Sequence, residues 1–297
     1  MREGDKSRKV SQRRERLLAA QAKPTATEPG EVNALVVGIG PGLCSVEIEG
    51  SIHHVRCQIP VVPGDEVSVL NGSVCGIRPR RTILTRTDPV NERCERVIVA
   101  NVDHMVIVAA ITNPPLRTGL IDRYMIAAAR GGIRPILCIN KSDLSTDTSA
   151  VAGYEIPLVC CSTKSGEGIA ELRDRLAGSV AVLTGHSGVG KSSLLNALTE
   201  ESQARVGDLS EDTGKGRHTT TASRLYLLKN GARIIDTPGI REFGLGPVTL
   251  AELKAAFPEF TAEGCRFKDC THKIEPGCVI REAGGLRYEA WLRLLEL

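Results

Sequence analysis

A chain of 297 residues with 41% hydrophobic content is long enough for roughly two or three domains and fits a globular protein. Its longest apolar run, about Met105–Ile111, falls well short of the ~18 residues of a membrane span, and the opening MREGDKSRKV lacks the apolar stretch of a signal peptide. A cytosolic protein without a membrane partner is therefore expected, and ten Cys in such a chain argue against a disulfide framework.

Net charge is only +3, but it is uneven. Residues 1–30 hold eight Lys/Arg (Arg2, Lys6, Arg8, Lys9, Arg13, Arg14, Arg16, Lys23) against four acids. This segment is poor in aliphatic residues and is predicted to be disordered. It reads equally as a nucleic-acid arm and as a solvated terminus. Residues 31–82 read as short strands, Val32–Ile39, Cys44–Glu49, Ile52–Gln58 and Glu66–Leu70, separated by Gly, Pro and Asn turns. A small barrel closes so many edges, and the pattern admits either an OB-fold or an SH3-like barrel.

From about residue 97 the pattern becomes α/β. Met105–Ala110, Ile136–Ile139, Leu158–Cys161 and Val180–Leu183 are apolar strands. Helices are expected at Leu120–Arg130, ending on Gly131-Gly132, at 168–177 and at Lys191–Leu198. Apolar strands alternating with helices imply a mostly parallel sheet covered on both faces. Leu225–Leu228 and Ile234–Ile235 flank Asn230-Gly231, a hairpin signal. Residues 248–297 differ again: a helix Leu250–Phe257 stopped by Pro258, an irregular Cys/His stretch, then a helix from about 283. The expected division is a basic tail 1–30, a barrel 31–84, an α/β domain 85–247 and a terminal domain 248–297.

Gly185-His186-Ser187-Gly188-Val189-Gly190-Lys191-Ser192 matches G-x-x-x-x-G-K-[ST] between a strand and a helix. Glycines there let backbone N–H groups turn toward phosphates, and the helix N-terminus adds positive potential. The expected phosphate-binding set is Gly185, Ser187, Gly188, Val189, Gly190, Lys191, Ser192 and Ser193. Lys191 reaches the β- and γ-phosphates and also serves catalysis, while Ser192 ligates Mg²⁺. Asp236-Thr237-Pro238-Gly239 follows, with Asp236 and Gly239 expected at the metal and the γ-phosphate. Asn140-Lys141-Ser142-Asp143, at the end of an apolar strand, is the expected guanine reader. A carboxylate at Asp143 accepts from both N1–H and the exocyclic amine of guanine, a pair that adenine lacks. Ser162, in Ser162-Thr163-Lys164, suits a second base-contacting loop, with a plain surface turn as the alternative.

The guanine motif precedes the phosphate loop, the reverse of the Ras-like order. The same sheet must have been cut open and rejoined elsewhere, with new attachments at its new ends. Beyond Asp236, the terminal domain is tethered through Arg241–Pro247, a route by which a switch movement could reach it. Between the phosphate loop and Asp236, the polar stretch 214–221 reads as a mobile loop. Thr220 is favoured over Thr219 to complete Mg²⁺ coordination and assist catalysis. Ile240 stands where Ras-like enzymes hold a water-orienting Gln. His218 is the nearest group with suitable chemistry, an RNA-contacting or merely exposed His being the alternative.

Cys265, Cys270, His272 and Cys278 supply three thiolates and an imidazole in the spacing Cys-x₄-Cys-x-His-x₅-Cys. Such a set closes a tetrahedral, structural Zn²⁺ site with no open position. A short, weakly apolar segment lacks the core to fold without such a staple. The other seven cysteines (Cys44, Cys57, Cys75, Cys94, Cys138, Cys160, Cys161) lack ligand-like neighbours, and most read as small buried hydrophobes in strands.

Together, the permuted motif order, the stretch Gly216-Arg217-His218-Thr219-Thr220-Thr221, Leu120-Ile121-Asp122-Arg123-Tyr124 and the cysteine cluster resemble the ribosome-small-subunit-dependent GTPase A family over residues 31–290. The resemblance implies an OB-fold barrel, a circularly permuted Ras-like P-loop G domain and a mostly helical zinc-binding domain. It implies GTP/GDP, Mg²⁺ and one Zn²⁺ as ligands, and the small (30S) ribosomal subunit with its rRNA as partner late in assembly. It also implicates His218 in catalysis. A monomer is expected. Two departures are a short barrel loop at Ile59–Val62 and a chain that stops soon after Trp291. The competing readings are a GTP-gated RNA-binding module whose hydrolysis is incidental, and an NTPase with no RNA partner.

Overall fold

A computed structural model of the chain describes residues 31–87, 95–199, 204–206, 224–236 and 245–296. The basic tail 1–30 lies outside the described residues, as does the loop 214–221. Five strands, β1 (Ala34–Gly40), β2 (Leu43–Ile48), β3 (Ser51–Arg56), β4 (Glu66–Leu70) and β5 (Ser73–Ile77), close into a barrel in the order β1-β2-β3-β5-β4. Alternate residues Val36, Val46, Val55, Val67 and Val74 point inward and form its core. The β2–β3 and β4–β5 hairpins turn on Glu49-Gly50 and Asn71-Gly72, each pair with positive φ, as tight two-residue turns between right-twisted strands require. Five strands with a parallel β3–β5 contact that closes the cylinder make this an OB-type barrel. The fifth strand is weakly written in the sequence because one of its inward positions is Gly76, which carries no apolar side chain.

Buried polar contacts clamp the barrel to the rest of the chain. Asp65, fully buried, takes two hydrogen bonds from Arg80 at 2.7 and 2.8 Å and a third from the Val62 amide at 2.7 Å. The amide of Ala100 donates to the Pro63 carbonyl (2.9 Å) and Asn101 Nδ2 to the Gly64 carbonyl (2.8 Å). A side chain at Gly64 would collide with the Ala100 carbonyl. Strands β6 (Ile83–Thr87) and β7 (Glu95–Ala100) form a ribbon that links barrel and sheet. The boundary expected at residue 84 falls inside β6.

The main sheet has seven strands: β8 (His104–Ala109), β9 (Arg134–Ile139), β10 (Leu158–Cys160), β11 (Val180–Thr184), β12 (Ala204–Val206), β13 (Arg224–Leu227) and β14 (Arg233–Asp236). Their spatial order is β10-β9-β8-β11-β14-β13-β12. The pairings β10–β9–β8–β11–β14 are all parallel, and β13 joins β14 as the hairpin expected at Asn230-Gly231. The strands read as continuous apolar runs because both faces are covered. On β8, Met105 and Ile107 face one core while Val106 and Val108 face the other.

Helices α2 (Ile169–Arg175) and α3 (Lys191–Thr199) cover one face through Leu172, Leu194 and Leu198. Helix α1 (Thr118–Gly131) covers the other with Ile121, Tyr124 and Met125, and ends on Gly132 in the left-handed conformation at φ 70°. The terminal segment shares this second core. It contains α4 (Leu250–Ala256), α5 (Val279–Ala283) and α6 (Leu286–Leu294). Phe257, Trp291 and Leu294 belong to the same cluster as Tyr124 and Ile126. α4 opens with a reciprocal capping box, Thr249 and Glu252. Glu252 also binds Arg130 of α1 at 2.8 Å, and Arg130 reaches Glu95 of β7 and the Pro247 carbonyl. The tether into the terminal segment is thus pinned to α1. Among the described residues no helix is long and apolar enough to cross a membrane.

A second clamp centres on Arg287. Its guanidinium lies between the rings of Tyr154 and Phe257, 4.0 and 3.9 Å from their centroids. It pairs with Asp122 of α1 and donates to Glu259 at 2.7 Å, and Tyr154 donates to the same Asp122 oxygen at 2.7 Å. Burial pushes the Asp122 carboxyl upward, against the pull of Tyr154 and Arg287. Removing one partner of a buried pair strands the other charge, at a cost of about 3–5 kcal/mol. Arg287→Ala is therefore expected to lower stability by about that amount in urea unfolding, and Arg287→Lys, which cannot stack as a plane, by most of it. Unfolding midpoints within error of the parent would show that the clamp contributes nothing.

Candidate functional site

Every nucleotide-binding motif singled out from the sequence and lying within the described residues sits at the carboxyl edge of the sheet. The phosphate loop leaves β11, Asn140 follows β9, Ser162 follows the strand β10, and Asp236 ends β14. In open α/β sheets ligands bind at that edge, where strand order reverses. Gly185, Gly188 and Gly190 all have positive φ, at 138°, 84° and 91°. Gly185 is pressed against the Val108 carbonyl and Gly190 against the Asn140 amide, so neither position has room for a Cβ. Ser187, Ser192 and Ser193 are exposed, Val189 is buried beneath the loop, and the helix α3 starts at Lys191. The arrangement is a loop of backbone amides opening onto a helix N-terminus, the geometry that suits phosphate.

Asn140 joins the two halves. Its Nδ2 donates to the Val189 carbonyl at 2.9 Å, and its own amide is held by the Ala109 carbonyl. Lys141, at φ 64°, sends its ammonium to the carbonyls of Asn113 (2.7 Å) and Gly188 (2.9 Å). Asp143 is exposed, and Ser162, fully buried, donates to its Oδ1 at 2.7 Å. The Ser162 hydroxyl also accepts from the amides of Lys164 and Ser165. Asp143 is thereby held with its second carboxylate oxygen free of Ser162. Lys191 folds over the loop and donates to the carbonyls of Gly185 (2.7 Å) and His186 (2.6 Å).

The residues present fit a guanine nucleotide: an amide cradle with no room for side chains, and a pinned carboxylate beside it. The buried Asn140 Oδ1 also has no partner among the described residues. Ser192 and Asp236 are the described candidates for Mg²⁺. His218, Thr220 and Gly239 lie outside the described residues. Asn113 and Tyr124, which hydrogen-bonds the Gly185 backbone, were not legible as site residues. They reach the loop from a separate segment; no local pattern marks Asn113, and the stretch Leu120–Tyr124 marks Tyr124 by resemblance without giving it a role.

The cysteine cluster also assembles. Cys265, Cys270, His272 and Cys278 bring their ligand atoms within 4.8 Å of one another. His272 Nδ1 lies 3.8 Å from Cys265 Sγ and 3.3 Å from Cys278 Sγ. Such spacings suit four ligands around one tetrahedral Zn²⁺. Burial pushes the Cys270 thiol up to about 11, so a cation is what would draw these thiols into thiolates. His272 stands at φ 60°, in a turn that Glu275 closes by accepting from the Thr271 hydroxyl and amide and the Ile274 amide. Glu275 carries no sequence signature of its own.

Fold and site define a circularly permuted, phosphate-loop G protein with an N-terminal OB-type barrel and a C-terminal Cys₃His cluster. The chain belongs to the RsgA GTPase family, whose model matches residues 77–246. It is 43% identical over 258 residues to the small ribosomal subunit biogenesis GTPase RsgA of Ectopseudomonas mendocina, covering 80% of this chain and 74% of that one. Its identity to the protein of the same description from Azotobacter vinelandii is 44% over 247 residues, 77% and 71% of the two chains. The crystal structure of YjeQ from Thermotoga maritima superposes with a TM-score of 0.68 at 28% identity over 89% of this chain and 99% of that one. YloQ, described as a circularly permuted GTPase, shares the fold at 24% identity, with a TM-score of 0.65 over 89% and 93%.

Two measurements probe these sites. Asp143→Asn should lose GTP affinity by about 10⁴ or more, as a mispaired hydrogen-bonding site discriminates on that scale, and should gain xanthosine triphosphate. Unchanged GTP affinity would remove Asp143 from base reading. For the cluster, elemental analysis should find one zinc per chain. Because Trp291 is the single tryptophan, fully buried and 5.7 Å from His272, chelation or Cys270→Ser should shift its emission to the red. Metal-free protein with unshifted emission would rule out a structural zinc.

Proposed function

We propose that this protein is a GTPase that binds the small ribosomal subunit and hydrolyses GTP to GDP and phosphate during maturation of that subunit. The observation that carries the reading is the junction of Asn140–Asp143 with the phosphate loop, in a chain 41–44% identical to relatives named as small-subunit biogenesis GTPases. In this reading Asp143 and Asn140 select guanine, and Ser162 positions Asp143. The amides of 187–193 hold the α- and β-phosphates. Lys191 leaves its carbonyl partners at Gly185 and His186 for the β- and γ-phosphates, exchanging neutral acceptors for charged ones.

Ser192, with Asp236 and Thr220, would hold Mg²⁺, which would neutralise the charge that builds on the phosphate oxygens. Ile240 cannot orient water, and His218 takes that role. The OB-type barrel and the Cys₃His segment flank the G domain and form the subunit-binding surfaces, with rRNA as the ligand.

Unassisted small GTPases turn over at about 10⁻⁴ to 10⁻² s⁻¹, and supplying missing transition-state groups adds roughly 10³–10⁵. Small subunits should therefore stimulate turnover strongly and large subunits should not. His218→Ala should keep GTP affinity and lose the stimulated rate. Equal stimulation by large subunits, or none by small ones, would leave a GTPase of other purpose.

A further inference from the structure

A basic cleft lies where the N-terminal end of α1, the phosphate loop and α6 meet. Arg117, Arg123, His186 and Arg293 line it, with Gly119 and Ala290 adding little bulk. Arg117, Arg123 and Arg293 are exposed. Their side chains form no ion pair or hydrogen bond with any described residue, whereas Arg80, Arg130 and Arg287 are each bound to carboxylates. The acid among the lining residues, Asp122, is buried and already paired with Arg287 and Tyr154. α1 begins here without a side-chain cap and without an acid in its first turn, so its N-terminal dipole adds to the positive field. Three guanidiniums without a salt bridge surround one concavity, Arg293 alone drawn in part to the buried Asp122; they repel one another, and the arrangement is relieved by an anion laid among them.

The cleft is also joined to the nucleotide site. His186 belongs to the phosphate loop. Its Nδ1–H donates to the Ser187 carbonyl at 2.7 Å, which leaves Nε2 for a partner outside the loop. Tyr124, about two turns along α1, hydrogen-bonds the Gly185 backbone. An occupant of the cleft therefore touches both the loop that holds the phosphates and the helix that supports it.

We propose that this cleft is a phosphodiester-binding site that seats a segment of RNA backbone across Arg117, Arg123 and Arg293, beside the phosphate loop. The guanidiniums are exposed and spread over two helices, which suits an extended polyanion rather than an enclosed small molecule. The assignment of RNA rests on the proposed small-subunit partner. Contact with His186 links the cleft to nucleotide, and binding linkage is reciprocal.

The test uses the full chain with a non-hydrolysable GTP analogue and two probes, purified small ribosomal subunits and poly(U). Affinity is measured across a salt series for the parent, Arg117→Gln/Arg293→Gln, Arg123→Gln, Arg117→Lys/Arg293→Lys and the control Arg175→Gln, whose side chain is paired with Glu171 on another face. Each phosphate contact accounts for about 0.7–0.9 in the slope of log K against log salt. The double Gln variant should lose roughly 1.5 from that slope on both probes and the single one about half as much. The Lys pair should restore it, and Arg175→Gln should match the parent. Nucleotide affinity without RNA should be the same throughout, which reports intact folding. If the double variant does not fold, Arg123→Gln carries the comparison. A parent that binds poly(U) but not small subunits would sink the proposed partner while the poly(U) slopes still decide the cleft. Slopes unchanged on poly(U) overturn the cleft as a phosphodiester site, including the case in which subunit binding weakens through a protein contact.

Discussion

The hydrogen bond from Asn140 to the Val189 carbonyl holds the nucleotide site together. It spans 49 residues and joins the end of β9 to the crest of the phosphate loop. Gly190 allows it, because any larger residue would occupy the place of the Asn140 amide. Lys141 adds one further bond across the same seam, to the Gly188 carbonyl, and a second to Asn113 in the segment after β8. A base-reading loop and a phosphate-reading loop must keep a set separation, since a nucleotide is a ligand of set length. Tying one loop to the other's backbone does this directly, and the tie is indifferent to which loop comes first in the chain.

That indifference is what allows the permutation. The pocket depends on which strands are neighbours, and β9-β8-β11-β14 place the motif-bearing ends side by side whatever their order along the chain. The cut has a consequence at the new ends. The barrel enters just before β8 and is fastened by Asp65, Arg80 and Asn101. The terminal segment leaves after β14 and is fastened by Arg130–Glu252 and by Arg287. The terminal segment is bound to the G domain by buried charged groups as well as by sequence continuity, so moving it has to break desolvated pairs, whereas the barrel is held by the neutral hydrogen bonds of Ala100 and Asn101.

The terminal segment also shows why a metal cluster and a hydrophobic core are used together. Its Cys and His residues organise irregular loops around 265–278, where there is little apolar side chain to bury. Its aromatic residues, Phe257, Phe260 and Trp291, stack edge to face at 5.4–5.5 Å, and Phe257 and Trp291 enter the core under α1. His272 links the two systems, facing the thiols with Nδ1 and meeting the Trp291 ring in an inclined, T-shaped contact. The cluster shapes the loops, and the core seats them on the sheet.

The motifs, the strand–helix alternation, the hairpin at Asn230-Gly231, the C-terminal stop of α1 and the Cys₃His set were all determined by the sequence alone. Each is a local requirement, met by residue types at neighbouring positions: glycine where φ is positive, apolar residues where a strand is covered twice, thiols close enough to share a cation. Only the tertiary structure decided the barrel type, the fifth strand β5, the β6–β7 ribbon, the role of Ser162 as a hydrogen-bond donor to Asp143, and the docking of the terminal segment on α1. The last rests on Asp122 and Arg287, 165 residues apart, whose attraction depends on burial that neither residue's neighbours in sequence reveal. Local geometry is written in consecutive residues, whereas a buried pair becomes visible only when the chain has folded around it.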